Sequence, residues 1–350
     1  MSRFSQWHAL NTDGSQPPFV IAEVGVNHNG SVATAHDLVD VAAACGADCA
    51  KFQVFQAEMV AAESARTAEY QERATSSISQ LEMIRLLELP NEAWPELKRH
   101  CDELGIDFMA TAFDELSLDV VDDLAPSAHK IPSGEITNLP FIKNVASRGR
   151  PVILSTGMSS TGEVGSALEA LGPTTTAVLM HCITAYPTPW ELSNLLAITH
   201  LREVTDLPVG WSDHTIGSES ALMAVALGSR IFEKHITLDC GQEGPDHGAS
   251  ADPAIFSAYV AAVHRGVRAL GVLEKELTPI EAPTAALVRR SWHARRDVEP
   301  GTTLTSADVI ALRPEGGIGT VQNVEGRVAV RGIPAGTFIT EENTVSGVIS

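Results

Sequence analysis

The chain has 350 residues, of which 44% are hydrophobic and 19% charged. At roughly 150 residues per domain this length predicts one large and one small domain, and the composition excludes a collagen, a coiled coil or a largely disordered chain. Asp and Glu number 44 against 24 Lys and Arg, a formal net charge of −20. That charge has the wrong sign for binding nucleic-acid phosphates or an anionic membrane, so we expect neither partner.

The first 18 residues lack the apolar core of a signal peptide, and no stretch of the sequence approaches 18 apolar residues. We therefore expect a cytoplasmic protein without a membrane span. The five cysteines are odd in number and include no C-x-x-C pair. They are interpreted as reduced thiols that lie mostly in the core.

Short apolar segments rich in β-branched residues alternate with longer amphipathic segments over the first 270 residues. The predicted strands are 19–24, 49–54, 106–112, 128–132, 151–156, 177–182, 207–211 and 230–236. The predicted helices are 32–45, 92–104, 116–124, 139–147, 161–171, 193–204, 219–227 and 253–270. Eight such units predict an α/β fold of the (β/α)₈ TIM-barrel type with an insertion at 61–89. A doubly wound open sheet is the alternative, because counting units does not show closure.

The sequence changes character near residue 274. Residues 276–290 contain prolines typical of a linker, which would join a barrel at 1–275 to a small, mostly β domain at 291–350. Within that domain VEPGTTLTSADV (298–309) and IPAGTFITEENT (333–344) are similar. We interpret them as an internal pseudo-repeat, with two independent type II turns as the alternative.

The ends of the predicted strands carry polar residues, which is where a barrel places its reactive groups. Lysine is scarce, yet Lys51, Lys130 and Lys234 all stand at strand ends. Cations gathered there in an acidic protein indicate a bound anion. The segments KIPSGEI (130–136) and LSTGMSS (154–160) suit a phosphate or carboxylate, since backbone N–H groups can approach its oxygens there. Each segment taken alone also suits a helix N-cap without a ligand.

Two histidines follow adjacent predicted strands, seven and eight. His214 and His235 could converge on one ion, and two imidazoles suit a catalytic divalent metal such as Mn²⁺, Zn²⁺ or Co²⁺. No H-x-x-x-H or H-E-x-x-H spacing is present, so the pattern alone leaves the metal open. His28, His181 and His247 are further candidates, each with a structural role as the alternative.

Eight motifs in order along the chain resemble the sialic acid synthase family. They are IAEVGVNHNGS (21–31), KFQVF (51–55), KIPSGEITNLP (130–140), LSTGM (154–158), HCITAYPTP (181–189), GWSDHT (210–215), EKHITLD (233–239) and GPDHGAS (244–250). The segment RPEGGI (313–318) resembles that family's C-terminal antifreeze-like domain of the SAF type. The resemblance implies an enzyme that condenses phosphoenolpyruvate with the open-chain aldehyde of an N-acylated mannosamine-type sugar, releasing phosphate by C–O cleavage.

The resemblance also implies roles for individual residues. His214 and His235 would hold the metal, expected to be Mn²⁺ with Mg²⁺ or Co²⁺ as alternatives, and would be catalytic. Glu23 matches a position around the sugar, and because it is a carboxylate in a site crowded with cations we predict that it is catalytic too, positioning or deprotonating water or a sugar hydroxyl group. Residues implied to bind the carboxylate and phosphate of phosphoenolpyruvate are Lys51, Thr111, Lys130, Ser133, Ser155 and Ser212. Further substrate-binding positions, several of them around the sugar, are Gln53, Gly134, Thr184, Tyr186 and Asp246. Arg313 matches an arginine that reaches into the other subunit's barrel, which implies a domain-swapped homodimer, although a linker of about 15 residues could also fold back.

Departures from the family pattern leave the sugar open. Ile183 and Ala185 stand where many members carry Asn and an acidic residue, and Glu315 and Gly316 replace the usual Gly-Asn pair. The expected substrate is N-acetylmannosamine, giving N-acetylneuraminate; the alternative is 2,4-diacetamido-2,4,6-trideoxymannose, giving N,N′-diacetyllegionaminate. A carbohydrate- or ice-binding protein with a non-catalytic barrel, and a synthase of seven- or eight-carbon keto acids, are the competing classes.

Overall fold

The computed structural model describes residues 2–10, 17–65 and 79–347. The chain divides into two compact units between Gly271 and Val272. Of the predicted insertion at 61–89, residues 66–78 lie outside the described residues.

Eight parallel strands close into a barrel in chain order. They are β1 Phe19–Gly25, β2 Cys49–Val54, β3 Asp107–Ala112, β4 His129–Ile131, β5 Val152–Ser155, β6 Ala177–His181, β7 Val209–Asp213 and β8 Ile231–His235. The barrel closes where β1 pairs with β8, from Phe19 opposite Ile231 to Glu23 opposite His235. This closure confirms the predicted (β/α)₈ barrel and excludes the open sheet.

The helices of the first unit surround these strands. They are α1 Arg3–Leu10, α2 Val32–Ala44, α3 Ala57–Val60, α4 Gln80–Leu86, α5 Ala93–Leu104, α6 Glu115–Asp123, α7 Leu139–Ser147, α8 Thr161–Leu171, α9 Leu196–Thr205, α10 Glu219–Ala226 and α11 Pro253–Leu270. All eight predicted helices are present, three of them with the predicted bounds. No helix in the described ranges combines the length and apolar character needed to cross a bilayer.

The N-terminal helix α1 was not predicted. It packs Phe4 and Trp7 into the apolar cluster that includes Phe19, while the backbone N–H groups of Arg3 and Phe4 donate to the carboxylate of Asp107. A helix of eight residues is marginal by itself. Tertiary packing and this anchor on β3 therefore stabilise it, and neither is visible as a local periodicity.

The second unit contains a short helix and four short strands. They are α12 Ala282–Val288, β9 Ser291–Ala294, β10 Val309–Leu312, β11 Val328–Ala329 and β12 Thr344–Val345. β9 pairs with β10 and β11 with β12, both antiparallel. The segment predicted to be the linker, 276–290, contains α12.

The two similar segments of this unit adopt the same local conformation. Val298 and Ile333 pair with each other, and each donates its N–H to the other's carbonyl at 2.9 Å. Gly301 and Gly336, at matching points of the turns, have φ of +84° and +78°, a region that favours glycine. Mutual pairing of the two segments supports the pseudo-repeat over independent turns.

Candidate active site

A cavity of about 270 Å³ lies at the carboxyl ends of the barrel strands. All the barrel residues predicted for the site line it: Glu23, Lys51, Gln53, Thr111, Lys130, Ser133, Gly134, Ser155, Thr184, Tyr186, Ser212, His214, His235 and Asp246. Arg313 lies in the second unit, exposed, directly after β10. Its place beside the substrate stays a prediction.

The register of the barrel explains why these side chains meet. Glu23 lies opposite Lys51 on one side and opposite His235 on the other, and Thr111 lies between Gln53 and Lys130. Side chains two residues apart on a strand share a face. A single inward face therefore carries polar residues at the end of several strands.

Two lysines and two carboxylates form a buried network at the base of the cavity. Lys51 Nζ lies 2.5 Å from Glu23 Oε2 and 3.7 Å from Glu233 Oε1. Lys130 Nζ donates to both carboxylate oxygens of Glu233 at 3.0 Å. Burial opposes ionisation of Glu233, but Lys130 and Lys51 lower its pKa to about 2. The network therefore places fixed charges of both signs in a site shielded from water.

Glu233 was not predicted as a site residue. It lines the cavity, pairs with Lys130 and accepts a hydrogen bond from Ser212 Oγ at 3.2 Å. Its signal was present in the sequence, because it stands two residues before His235 on the same strand and so shares its face.

Lys234 was expected to join Lys51 and Lys130 at the mouth of the barrel, and the same alternation shows that it does not. Its ammonium donates to the Thr215 carbonyl at 2.6 Å, lies 3.5 Å from Asp213 Oδ2 and sits 5.1 Å from the centre of the Tyr259 ring. It lies one residue from His235 and takes the opposite face of β8. Only Lys51 and Lys130, among the three lysines expected at the mouth, line the cavity.

The two Ser-Gly segments after β4 and β5 pack closely together. Gly157 donates its N–H to Ser133 Oγ at 2.9 Å, and Ser133 Oγ lies 3.2 Å from Cys182 Sγ. A β-carbon at Gly157 would come within 2.5 Å of Thr184 Oγ1 and 2.8 Å of Ser133 Oγ. Glycine is therefore required there, and the resulting close approach of three loops shapes the part of the cavity lined by Ser133, Gly134 and Ser155.

The two predicted metal ligands face each other across the cavity. The ring centres of His214 and His235 are 5.6 Å apart, and Tyr186 packs 4.1 Å from the first. His214 Nδ1 lies 2.7 Å from the Ile183 carbonyl, which can only accept, so the proton is assigned to Nδ1 and Nε2 keeps its lone pair. Burial lowers the pKa of both histidines to about 3. Both rings are therefore neutral, the form that binds a metal.

The surrounding groups fit an open divalent metal site. His235 Nδ1 is buried without a hydrogen-bond partner, 3.6 Å from Asp246 Oδ2. In the described part of the chain no three His, Cys, Asp or Glu side chains form a complete ligand set. Two imidazoles would leave positions open for substrate or water, as catalytic sites do.

The other candidate histidines have structural partners. His28 stacks on Phe52 with ring centres 6.4 Å apart, His181 lies 3.0 Å from the Ser193 carbonyl, and His247 lies 2.6 Å from Thr237 Oγ1. Across the described ranges, none of the three lines the cavity. The geometry therefore favours a structural role for these three histidines over a role as metal ligands.

An apolar wall, which sequence reasoning did not identify, covers another part of the cavity. We define it as Val26, Phe55, Val60, Met83, Ile84, Leu87 and Phe113. These residues come from the ends of β1 to β3 and from the insertion. The side chains of Ile183 and Ala185, which stand where many family members carry Asn and an acidic residue, do not line the cavity in the part of the chain that is described.

A closed barrel with buried lysines, carboxylates and paired imidazoles at its mouth, followed by a small β unit, defines a class of barrel synthases with an appended SAF domain. The NeuB family matches residues 38–275 and the SAF domain matches residues 289–343. The chain belongs to the NeuB family, and it is an enzyme of the synthase type.

Curated relatives span nearly the whole chain. The N,N′-diacetyllegionaminic acid synthase of Legionella pneumophila is 40% identical over 334 residues, covering 93% of this chain and 94% of that protein. The Campylobacter jejuni protein of the same name is 38% identical over 329 residues, covering 92% and 98%. Among solved structures, the N-acetylneuraminic acid synthetase of Leptospira borgpetersenii superposes with a TM-score of 0.69 at 31% identity, covering 77% of this chain and 90% of that one.

Proposed function

We propose that this enzyme condenses phosphoenolpyruvate and water with open-chain 2,4-diacetamido-2,4,6-trideoxymannose, giving N,N′-diacetyllegionaminate and phosphate. The observation that carries the reaction class is one buried cavity holding Lys51, Lys130 and the neutral pair His214 and His235. Cations suit the trianionic phosphoenolpyruvate, and the imidazoles suit a metal that meets the aldehyde.

The choice of sugar rests on the relatives. The sequence alone placed N-acetylmannosamine first, whereas the two relatives at 40% and 38% identity are named for legionaminic acid synthesis. The likeness to the sialic acid synthetase structure at 31% identity keeps N-acetylmannosamine as the second candidate.

The reaction forms a bond between C3 of phosphoenolpyruvate and the aldehyde carbon, adds water at C2 and breaks the C2–O bond to phosphate. Lys51 and Lys130 would bind the anionic groups, with Ser133 and Ser155 as neutral hydrogen-bond donors. Their buried ion pairs keep both ammonium groups in place before substrate arrives. Holding enol and aldehyde in register can supply roughly 7 to 11 kcal/mol of the barrier.

A divalent cation on His214 and His235, proposed to be Mn²⁺ with Mg²⁺ or Co²⁺ as alternatives, would act as a Lewis acid toward the aldehyde oxygen. Glu23, which accepts a hydrogen bond from Gln53 at 3.0 Å, would position water or a sugar hydroxyl group.

Phosphate release tests this proposal. The purified enzyme is given phosphoenolpyruvate with 2,4-diacetamido-2,4,6-trideoxymannose or with N-acetylmannosamine, with Mn²⁺ or with a chelator. We expect release that depends on a sugar and on Mn²⁺, fastest with the trideoxy sugar. A carbohydrate-binding protein with a non-catalytic barrel would release none with either sugar.

Glu23→Gln is expected to stay folded and to lose activity by roughly 10²- to 10⁴-fold, the range of a positioned acid or base. The change keeps the shape of the side chain beside Gln53 and removes its charge. Phosphate release measures the loss, while calorimetric binding of Mn²⁺ shows that the metal site survives. Turnover at the wild-type rate in a metal-bound Glu23→Gln enzyme would refute the role.

Arg313 is proposed to reach the substrate of the other subunit in a homodimer. Mixing inactive Arg313→Ala and Lys130→Met chains, with subunit exchange, then gives heterodimers in which one of two sites is intact. About a quarter of wild-type activity is expected to return, because half of the dimers are heterodimers and each heterodimer has one intact site out of two. If Arg313 serves its own barrel, every site in the mixture stays defective and no activity returns.

A further inference from the structure

The cavity has two chemically different sides. The lysines, carboxylates and histidines occupy the strand ends, whereas the side chains that α3 and α4 contribute within the described ranges are Val60, Met83 and Ile84, all apolar. Leu87 follows directly after α4. A substrate that places its reacting end among the charged groups therefore meets the apolar wall with another part of its surface.

The apolar wall is built into the fold. Val26, Met83 and Leu87 are buried together, with Phe55 and Ile84 packed against them. Phe55 and Phe113 make an edge-to-face contact with ring centres 6.1 Å apart. Such packing fixes the positions of these side chains. Val60, the remaining member of the wall, lines the cavity from α3 and is 39% exposed.

Polar contacts connect α3 and α4, and they add to the apolar packing between Met83, Leu87 and their neighbours. A capping box between Ser79 and Glu82 begins α4. Arg85 pairs with Glu58 of α3 at 2.6 Å, and the Ala57 N–H donates to Glu88 Oε1 at 2.5 Å. The helices therefore present a defined surface to the cavity.

The direction of the sugar follows from the placement of the charged groups. In the proposed reaction the aldehyde would meet a metal held by the paired histidines at the ends of β7 and β8, while α3 and α4 lie beyond the end of β2. The end of the sugar remote from the aldehyde then faces the apolar wall. A hydroxyl or phosphate there would lose its hydrogen bonds to water without a polar partner from these helices, whereas a methyl group would lose none.

We infer that the apolar wall selects a sugar whose end remote from the aldehyde is a methyl group, and disfavours one that ends in a hydroxymethyl or phosphate group. The inference rests on the proposed function and assigns the selection between sugars to the insertion after β2. Val60 and Ile84 are specificity-determining residues in this account.

The test compares two sugars that differ at one atom, 2,4-diacetamido-2,4,6-trideoxymannose and its 6-hydroxy counterpart. The wild-type enzyme is expected to prefer the deoxy sugar in kcat/KM by on the order of 10- to 100-fold, the discrimination an apolar pocket achieves. Val60→Thr/Ile84→Thr places hydroxyl groups in the wall and is expected to reduce the preference to within roughly threefold. The ratio of the two kcat/KM values is measured on the same protein preparation, so it does not change if part of that preparation is inactive.

Leu86→Thr is the matched control. Leu86 lies on the same helix, is 68% exposed and does not line the cavity. It is expected to keep the wild-type ratio, so a general effect of threonine on α4 is separated from an effect in the wall.

The outcomes distinguish this inference from the proposed function. Phosphate release at equal efficiency with both sugars, or an unchanged preference in Val60→Thr/Ile84→Thr, overturns the inference and leaves the reaction standing. No release from wild type with any sugar overturns both. The inference is supported if the preference for the deoxy sugar falls in Val60→Thr/Ile84→Thr and stays at the wild-type value in Leu86→Thr.

Discussion

Lys130→Met is expected to lower kcat/KM for phosphate release by on the order of 10²- to 10³-fold, the loss typical of removing one preorganised charge-stabilising group. It is also expected to destabilise the fold by roughly 3–5 kcal/mol, since removing one partner of a buried ion pair leaves an uncompensated charge. Glu233 is 4% exposed, and both its oxygens bind Lys130. Denaturant unfolding and a phosphate assay measure the two effects separately.

The double variant Lys130→Met/Glu233→Gln separates the two roles of Lys130. Removing the stranded carboxylate charge is expected to restore much of the lost stability while leaving the enzyme inactive, because the cation that meets the anionic substrate is still absent. Lys98→Met on α5 is the surface control, since its ion pair with Asp102 is largely exposed on the Asp side and contributes little. Activity that returned together with stability would mean that Lys130 acts only as a structural partner.

Much of the barrel was readable in the sequence because local pattern and tertiary packing agree there. Strand β2 and helices α7, α8 and α11 begin and end where the apolar pattern predicts. Closure of the sheet was not readable, since it depends on pairing between β1 and β8 across more than 200 residues.

The site residues were predicted correctly where a polar residue stands at or just after the end of a strand. They were missed where the direction of the side chain decides whether it enters the cavity. Lys234 and Glu233 are neighbours in sequence, yet Glu233 enters the cavity and Lys234 lies on the other face of β8. Applying the two-residue period backwards from His235 would have placed both correctly.

The apolar wall was missed for a different reason. Its members are separated by up to 87 positions, from Val26 to Phe113, and a lone Val or Ile in a helix is usually a core residue. Only the folded arrangement shows that Val60 and Ile84 face a cavity. The selectivity we infer for this wall therefore depends on contacts between separate loops, which a single sequence does not reveal.

His235→Ala is expected to weaken Mn²⁺ binding by at least about 100-fold, more than the 10- to 100-fold effect typical of removing a residue that only orients a ligand. Turnover is expected to fall roughly 10³-fold, because Lewis-acid stabilisation is worth several kcal/mol and about 1.4 kcal/mol corresponds to tenfold. His235 is buried, neutral and faces His214, and its Nδ1 has no hydrogen-bond partner. Calorimetric titration with Mn²⁺ measures the affinity without reference to activity.

His181→Gln is the control for loss of a buried histidine at another strand end, that of β6. His181 lies 3.0 Å from the Ser193 carbonyl and does not line the cavity, so its variant is expected to bind Mn²⁺ with wild-type affinity even where stability declines. If His235→Ala bound Mn²⁺ as tightly as the His181→Gln enzyme, the paired histidines would not be the metal site. Glu23 and Asp246 would then be the residues to replace next, because Asp246 Oδ2 lies 3.6 Å from His235 Nδ1 and Glu23 lies opposite His235 on the neighbouring strand β1.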